Sequence, residues 1–486
     1  MKIANFMHKH FGKILSVMAL AALWAGCSFA PRYKVPSVET PATYKENSGT
    51  NNTDTNLWQL AQPNDAVIRS NWWEMFNDPV LNGLEEQVAI SNQNVAESYE
   101  NYMSAHAIVR EDQAEYFPTV TTVPDVTRQR RFSGGFSQSS PNITTYDVPF
   151  NASWEPDLWG KIRNTVKSAK GTAQADAADL ENAKLSAQAE LASDYFQLQG
   201  QDALEQLFDD TVNAYSNSLK LTQVLFKTGI DSDQDVAQAE TQLETTEAQD
   251  TNLRILRAQL EHAIAVLLGR APTTFSIPRT PLIARPPNIP IGLPSQLLER
   301  RPDIASAERA VFSANAQIGV ARSAFFPDVT LTASGGFESF TTANLFNWGS
   351  RTWSIGASGT QYLFDAALPP ALAQYKAQYL DAVATYRQSV LSAFQGVEDN
   401  LVALRVLKKQ IAQQEVAVNS SQKYLNLAVY RYKLGIDSYL NVITAQTTLL
   451  SNRQTLVNLY TEQMQDAVVL IEDLGGGWNT SQLPRD

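Results

Sequence analysis

Two hydrophobic periods share this chain. Leu204, Phe208, Val212, Tyr215, Leu219, Thr222 and Phe226 recur close to the helical period, and Leu253, Leu256, Leu260, Ile264 and Leu267 repeat it on a returning segment. No proline falls between Asp157 and Ala271 or between Ala371 and Leu483, as helix interiors require. The span Lys161 to Lys227 thus predicts a rod of ~100 Å at ~1.5 Å per residue, and Ala371 to Lys433 predicts a similar one. Shorter helices are predicted over Phe76–Tyr116, Val236–Leu268, Ile304–Phe325 and Val442–Leu474, able to stack end to end beside the rods. After Pro118 and Pro327, the helix-to-strand junctions, the period drops to two. Tyr146, Val148, Phe150, Ala152 and Trp154 alternate with polar residues or proline, as do Val329, Leu331 and Ala333, and Trp353, Ile355 and Ala357. These are strands of about ten residues, a membrane-crossing length, with Trp154 and Trp353 at their ends as in an interfacial girdle. A weaker first strand containing Pro124 completes two hairpins, at about 119–155 and 328–364.

The pattern occurs twice. "FKTGIDSDQDVAQAET" from Phe226 answers "YKLGIDSYLNVITAQT" from Tyr432, "YFPTVT" at Tyr116 answers "FFPDVT" at Phe325, and "SGGF" stands at both Ser133 and Ser334. The unit of about two hundred residues is too long for a solenoid repeat and reads as a duplicated domain half. The two GIDS stretches fall between antiparallel helices, with Gly229 and Gly435 placed as C-caps, so they mark two hairpin tips. The resulting division is signal peptide 1–26, N-terminal extension 27–75, first repeat 76–273 with its tip at about 226–235, linker 274–302, second repeat 303–475 with its tip at about 432–441, and tail 476–486.

Four strands per chain are too few for a membrane. A bilayer tolerates no open sheet edge, and bacterial single-chain barrels start at about eight strands. Either the strands form a soluble sheet or several chains pool them, and a trimer supplies twelve. The first reading of the helices alone is a long coiled-coil scaffold; the alternating strands have no purpose in it.

Composition narrows the chemistry. A net charge of −12 without a basic, aromatic-interleaved patch disfavours nucleic acid. Of four histidines, His8 and His10 lie in the leader, and His106 and His262 make no metal-ligand spacing, so no metal site is expected. No Walker loop, GxGxxG after a strand or GxSxG elbow occurs, and carboxylates sit at helix-surface spacings, so the chain is not read as an enzyme. The single cysteine, Cys27, excludes an internal disulfide. It follows Lys2, Lys9 and Lys13, the apolar run Ile14 to Trp24, and Ala25-Gly26, the layout of a secretory signal. This resembles a lipobox with Cys27 as the lipidated first residue, although Trp24 stands where an aliphatic residue is usual. Ser28 after it resembles the outer-membrane sorting class. Ordinary signal cleavage nearby, leaving a free thiol, is the other reading.

"LLERRPDIASAERAVFSANAQIGVARSAFFPDVTL" from Leu297 resembles the second-half signature of the TolC-like outer-membrane factors, and "NWWEMFNDPVLNGLEEQVAISNQNV" from Asn71 resembles the opening of their first helix. With Cys27 and "APRYKVP", the chain is similar to the lipoprotein branch serving resistance-nodulation-division efflux systems. The resemblance implies an α+β membrane protein: a homotrimer whose twelve-stranded β-barrel is continued by an α-helical periplasmic barrel. It implies no cofactor beyond the covalent lipid on Cys27. It also implies passive export across the outer membrane, driven by an inner-membrane resistance-nodulation-division transporter through a periplasmic adaptor protein. The tips, with Gly229, Asp231, Asp233 and Asp235 on one and Tyr432, Gly435 and Asp437 on the other, would form the entrance and adaptor contact. In relatives, carboxylates just past the second tip ring the constriction and bind cations; here the matching residues, Asn441 and Thr444, are neutral. Asp231, Asp233, Asp235 and Asp437 are candidates to replace that ring, or else ordinary turn and N-cap residues. A type I protein secretion duct would share this fold, and only the lipoprotein start disfavours it.

Overall fold

The computed structural model describes residues 29–48, 71–130, 142–282, 285–292 and 294–484. The leader, Cys27 and the SGGF stretch at Ser133 lie outside the described residues. The two copies have helices of matched length. In the first, α1 (Pro79–Ser91) and α2 (Gln93–Ala114) precede a strand pair, the 67-residue α3 (Lys161–Lys227) and the 35-residue α4 (Asp233–Leu267). In the second, α5 (Pro302–Ser323) precedes a strand pair, the 66-residue α6 (Leu368–Lys433) and the 35-residue α7 (Tyr439–Asp473). No described helix is long and apolar enough to cross a membrane.

Four boundaries depart from the sequence reading, each for a local reason. The helix predicted over Phe76–Tyr116 is two helices, because Asn92 takes an extended conformation and its side chain accepts from the backbone of Asn94 and Val95. α4 and α7 begin about a turn early, directly after Ser232 and Ser438 at their N-caps. α6 begins at Leu368 because its prolines fall in the first turn, where no helical N–H bond is lost.

The short helices do stack end to end, and the joints explain two sequence signals. At the first joint Asn92 Nδ2 donates to the carbonyl of Leu267 (2.9 Å) and Ser91 Oγ to that of Leu268 (2.8 Å), so α2 sits on the end of α4. At the second, Arg301 just before α5 donates from Nη1 to the carbonyl and to Oδ1 of Asp473 (both 2.9 Å), while Nη2 pairs with Asp303 (2.8 Å). The Arg301-Pro302-Asp303-Ile304 stretch is thus a clasp between the end of α7 and the start of α5. Its guanidinium meets the partial negative charge of a helix C-terminus. Asn400 of α6 donates to the other oxygen of Asp473 (2.8 Å) and ties the long helix in.

The main core is a belt at mid-height, where helix ends and linker converge. Trp72 of the extension and Phe76, Leu81, Phe196 and Ile264 of the first repeat meet Val397, Leu401, Val468 and Ile471 of the second. The linker is pinned there by ion pairs. Asp202 of α3 takes Arg257 (2.7 Å) and the amide of Thr280 (2.9 Å), and Glu205 takes Arg279 (2.9 Å).

The strands form one antiparallel sheet in the order β1/β2, β3, β4, β5. They span Thr119–Thr122, Asp125–Arg130, Asn142–Trp154, Asp328–Ser339 and Arg351–Thr360. β1 and β2 are one strand interrupted: Thr119 faces Ser153 and Asp125 faces Asp147, so the register against β3 is unbroken across the gap. The gap holds Pro124, and Pro149 of β3 lies opposite it; neither has an N–H to give the ladder. The register sorts the residues by face. Val126, Tyr146, Val148, Phe150, Ala152, Trp154, Leu331, Ala333, Phe337, Trp353 and Ile355 share one face; Thr121, Thr127, Asn151, Ser153, Thr330, Thr332, Ser334, Thr352, Ser354 and Ser358 share the other. The apolar face is bare, with Trp353 and Ile355 each 79% exposed. Among the described residues the outer edges of β1/β2 and β5 have no strand partner.

The segment from Phe29 to Ser48 runs down the outside of the helices. Phe29 stacks on Phe326 (4.3 Å between ring centres) beside Trp159, at the helix-to-strand junction. Pro31 accepts from Asn315, Tyr33 bonds Glu308, Tyr44 is buried in the belt, and Glu46 pairs with Arg405 of α6.

Candidate functional site

The end of the molecule opposite the sheet is built by the two tips. Each long helix ends in the same hydrogen-bonded reversal. Ile230 N–H reaches the carbonyl of Leu225 (2.9 Å) and Gly229 N–H that of Phe226 (2.9 Å); Ile436 reaches Arg431 (3.0 Å) and Gly435 reaches Tyr432 (2.8 Å). This six-to-one, five-to-two pairing needs a left-handed residue at its centre, and Gly229 (φ 77°) and Gly435 (φ 68°) supply it. The repeated Gly-Ile-Asp-Ser is therefore the sequence of a helix stop, a turn and a helix start.

The aspartates then part company. At the first tip Ser232 caps α4 by accepting from the amide of Asp235 (3.2 Å), and the Asp235 carboxylate accepts from the amide of Ser232 (3.2 Å), a reciprocal capping box. At the second tip the matching residue is Asn441, and Ser438 makes no side-chain cap bond. Asp437 instead takes a forked pair from Arg431, Nε to Oδ2 at 2.5 Å and Nη2 to Oδ1 at 3.3 Å. Arg431 has Leu225 as its counterpart, so the first tip has no such cation. Asp231 bonds across to the other hairpin, accepting from the Tyr432 hydroxyl. Asp233, in the first turn of α4, is exposed, and its carboxylate makes no hydrogen bond or ion pair among the described residues.

Tyr432 is the pivot of this end. Its ring is buried with Tyr439, Val442 and Ala239, and lies 5.2 Å from the Tyr439 ring. Burial first, and then the bond to Asp231, push the Tyr432 phenol above its ordinary value, so it stays a donor through neutral and mildly alkaline pH. The Arg431 contact holds the Asp437 carboxyl below its usual range. The Tyr432 hydroxyl also lies 3.5 Å from Thr222 Oγ1 of α3, and further up Gln446 of α7 donates to Ser218 of α3 (3.0 Å). Asn441 and Thr444 are exposed, and Thr444 turns its hydroxyl back to the carbonyl of Leu440 (2.9 Å).

The structure thus brings Asp231 and Tyr432 together and gives Asp235 and Asp437 separate local partners. Of the four candidate carboxylates, two take part in the turns' own bonds and one, Asp231, bridges the hairpins. Arg431 was not legible as a member of this end. Arg431 sits one turn before the glycine with a carboxylate six residues on, a spacing that signals a clasp only once the turn is known. Pro118 and Pro327 stand between helix and strand as read, where Trp159 Nε1 donates to the carbonyl of Pro327 (2.8 Å). No cluster of metal-ligating side chains occurs among the described residues.

Set beside known proteins, the chain matches the profile of the outer membrane efflux protein family over residues 84–270 and 293–476. It is 32% identical over 469 residues to the probable efflux pump outer membrane protein TtgC of Pseudomonas putida, covering 96% of each chain. It is 33% identical over 473 residues to the solvent efflux pump outer membrane protein SrpC of the same species, covering 97% of this chain and 99% of that one. Among solved structures, the outer-membrane channel OprN superposes with a TM-score of 0.86 at 28% identity, over 93% of this chain and 100% of that one. The open state of the Neisseria gonorrhoeae MtrE outer membrane channel gives 0.80 at 26% identity, over 93% and 99%.

Proposed function

The chain belongs to the outer membrane efflux protein family, and from that membership we propose how its parts work. It is the outer-membrane channel component of an efflux pump. In our reading three copies pool their strands into a twelve-stranded barrel, and their helices continue it as a tunnel into the periplasm. The observation that carries this is the sheet: an apolar face and a polar face in unbroken register, with two edges that have no strand partner among the described residues. A bilayer tolerates that sheet only if β5 of one copy pairs with β1/β2 of the next.

Transport through it is passive, and small toxic compounds, as the names of the relatives suggest, are its cargo. The drive comes from an inner-membrane transporter of the resistance-nodulation-division class through a periplasmic adaptor. The tips offer that adaptor an exposed apolar rim of Ile230, Leu434, Ile436 and Leu440. The entrance is held shut by hydrogen bonds, chiefly Tyr432 to Asp231, instead of by a cation-binding acidic ring, because Asn441 and Thr444 are neutral. A lipid on Cys27 fits the path of the extension, since Phe29, two residues on, sits among Trp159 and Phe326 at the foot of the strands.

The test is the protein mass of the detergent-extracted complex by light scattering, with detergent subtracted, followed by conductance in a planar bilayer. Three chains and an ion-conducting pore are expected. A folded single chain without conductance would return the protein to an anchored scaffold.

A further inference from the structure

The strands carry seven charged residues among those described, and the register sorts every one by sign. Asp125, Asp147, Asp328 and Glu338 stand on the polar face; Arg128, Arg130 and Arg351 stand on the apolar face with Val126, Tyr146, Phe337 and Trp353. All three arginines lie at the end of the sheet away from the helices. Arg128 faces Thr144, Arg130 faces Asn142, and Arg351 faces Phe337.

Their height follows from strand geometry. Arg128 is nine residues beyond Thr119, and Arg351 is nine residues from Thr360. At ~3.3 Å per residue and a tilt of ~40°, both stand ~23 Å above the foot of the sheet, where an apolar band ~25 Å tall gives out. They are therefore at the outer headgroup level and not in hydrocarbon.

Their surroundings favour an anionic partner. Arg128 and Arg130 are exposed, and their guanidinium groups make no hydrogen bond or ion pair among the described residues. Arg351 is braced by donating to the carbonyl of Trp348 (2.9 Å) with its guanidinium over the Trp348 ring. Phe346 packs on Phe337 (5.5 Å between ring centres), so the β4–β5 loop also leans its aromatics on this face. Aromatic rings with arginine forks above an apolar band are the composition of a lipid-headgroup contact. Guanidinium recognises phosphate by paired, charge-assisted bonds.

We infer that Arg128, Arg130 and Arg351 form an outward-facing belt that binds the phosphate groups of outer-leaflet lipid. This rests on the barrel reading above and goes beyond it. If β5 pairs with β1/β2 of the next copy, Arg351 of one chain comes to the same edge as Arg128 and Arg130 of its neighbour. The belt then becomes continuous around the barrel.

The test uses the full-length detergent-extracted protein, incubated with lipid A or with the same lipid stripped of its phosphates. Retained lipid is counted by native mass spectrometry. Wild type is expected to hold the phosphorylated form on the order of 100-fold better, three arginines each acting near an anionic surface, and the preference should shrink with salt. The variant R128Q/R130Q/R351Q should lose the preference; R128K/R130K/R351K should keep part of it; K376Q/K408Q/K423Q, which removes three exposed charges from α6, should keep all of it. Equal retention of both lipids by wild type overturns the belt without needing any variant, as does a preference that survives the triple Gln change. A protein that retains neither lipid and stays monomeric would instead overturn the barrel reading.

Discussion

Replacing Tyr432 by Phe removes one hydroxyl and little else. The ring keeps its place against Tyr439, Val442 and Ala239, while the bond to Asp231 on the other hairpin is lost. Asp231 sits at the half-exposed tip and can turn to water, so no buried charge is orphaned. A hydrogen bond to a charged group is worth ~1.5–3 kcal/mol when well shielded, and ~1–2 kcal/mol is the suitable figure at this partly wet end. In a trimer whose tips part together, three copies contribute about 3–6 kcal/mol, and each ~1.4 kcal/mol is tenfold, so the closed-to-open ratio falls by ~10² to 10⁴. Planar-bilayer recording should show longer open dwell times and larger conductance. Cells carrying Y432F should become sensitive to antibiotics too large for ordinary porins. D231N should act in the same direction by a smaller amount, and the double variant should fall short of the sum, because both changes break one bond. The pH dependence has a definite sign. A phenol raised in the closed state keeps its proton there, so the bond persists below the ordinary tyrosine value and is lost only as pH climbs through the raised one. Wild-type closure should thus survive pH 9. Y432F and D231N channels that stay as closed as wild type would refute the gate.

Other outcomes follow from the same structure. G435V places a β-branched residue at φ 68°, a strain of ~1–2 kcal/mol that reshapes the second tip; export should fail while trimers still form, and normal export would remove the tip from the mechanism. Ile355 lies midway along β5 on the apolar face and Ser354 on the polar one. I355K should therefore cost ~2–4 kcal/mol and abolish heat-resistant oligomers, while S354K is tolerated; the reverse pattern would invert the faces. Glu85 is fully buried, and neither carboxylate oxygen has a hydrogen bond among the described residues, so burial holds its carboxyl well above the usual range. The folded state binds that proton more tightly than the unfolded one, so this group's contribution to stability rises as pH drops below its folded value and levels off below ~4.5. E85Q should raise Tm at neutral pH and flatten the acid-side slope, and an unchanged slope would show that water or a partner satisfies the carboxylate.

Periodicity made most of the fold legible. The 67-residue helix and the hairpin positions follow from the absence of proline and the change of period at Pro118 and Pro327, because long rods and two-faced strands each write their geometry into every few residues. Asn92 was less visible: one polar residue within a helical pattern carries no sign that its side chain will cap instead of bonding water. Arg301 was recognisable as part of a motif, but its purpose needed Asp473, some 170 residues on, at the far end of a helix that folds back to meet it. The closure of the sheet is not legible from one chain, since an unpaired edge specifies a partner strand without stating whose.

The duplicated tips show where repetition ends and function begins. Both copies keep Gly-Ile-Asp-Ser because a helix reversal with a left-handed centre is wanted in both. The flanks differ at three places that matter: Leu225 against Arg431, Phe226 against Tyr432, and Asp235 against Asn441. The first change gives Asp437 a partner on its own hairpin, and the third leaves only the first tip with a capping box. The second change gives Tyr432 a hydroxyl where its counterpart has none, and Asp231 receives it. A chain repeated at these three places would lack the Tyr432–Asp231 bond between its tips. It is the departure from repetition that joins the two stops by one hydrogen bond, and in the proposed gate a latch made of one neutral and one charged partner would open without having to strip a bound cation.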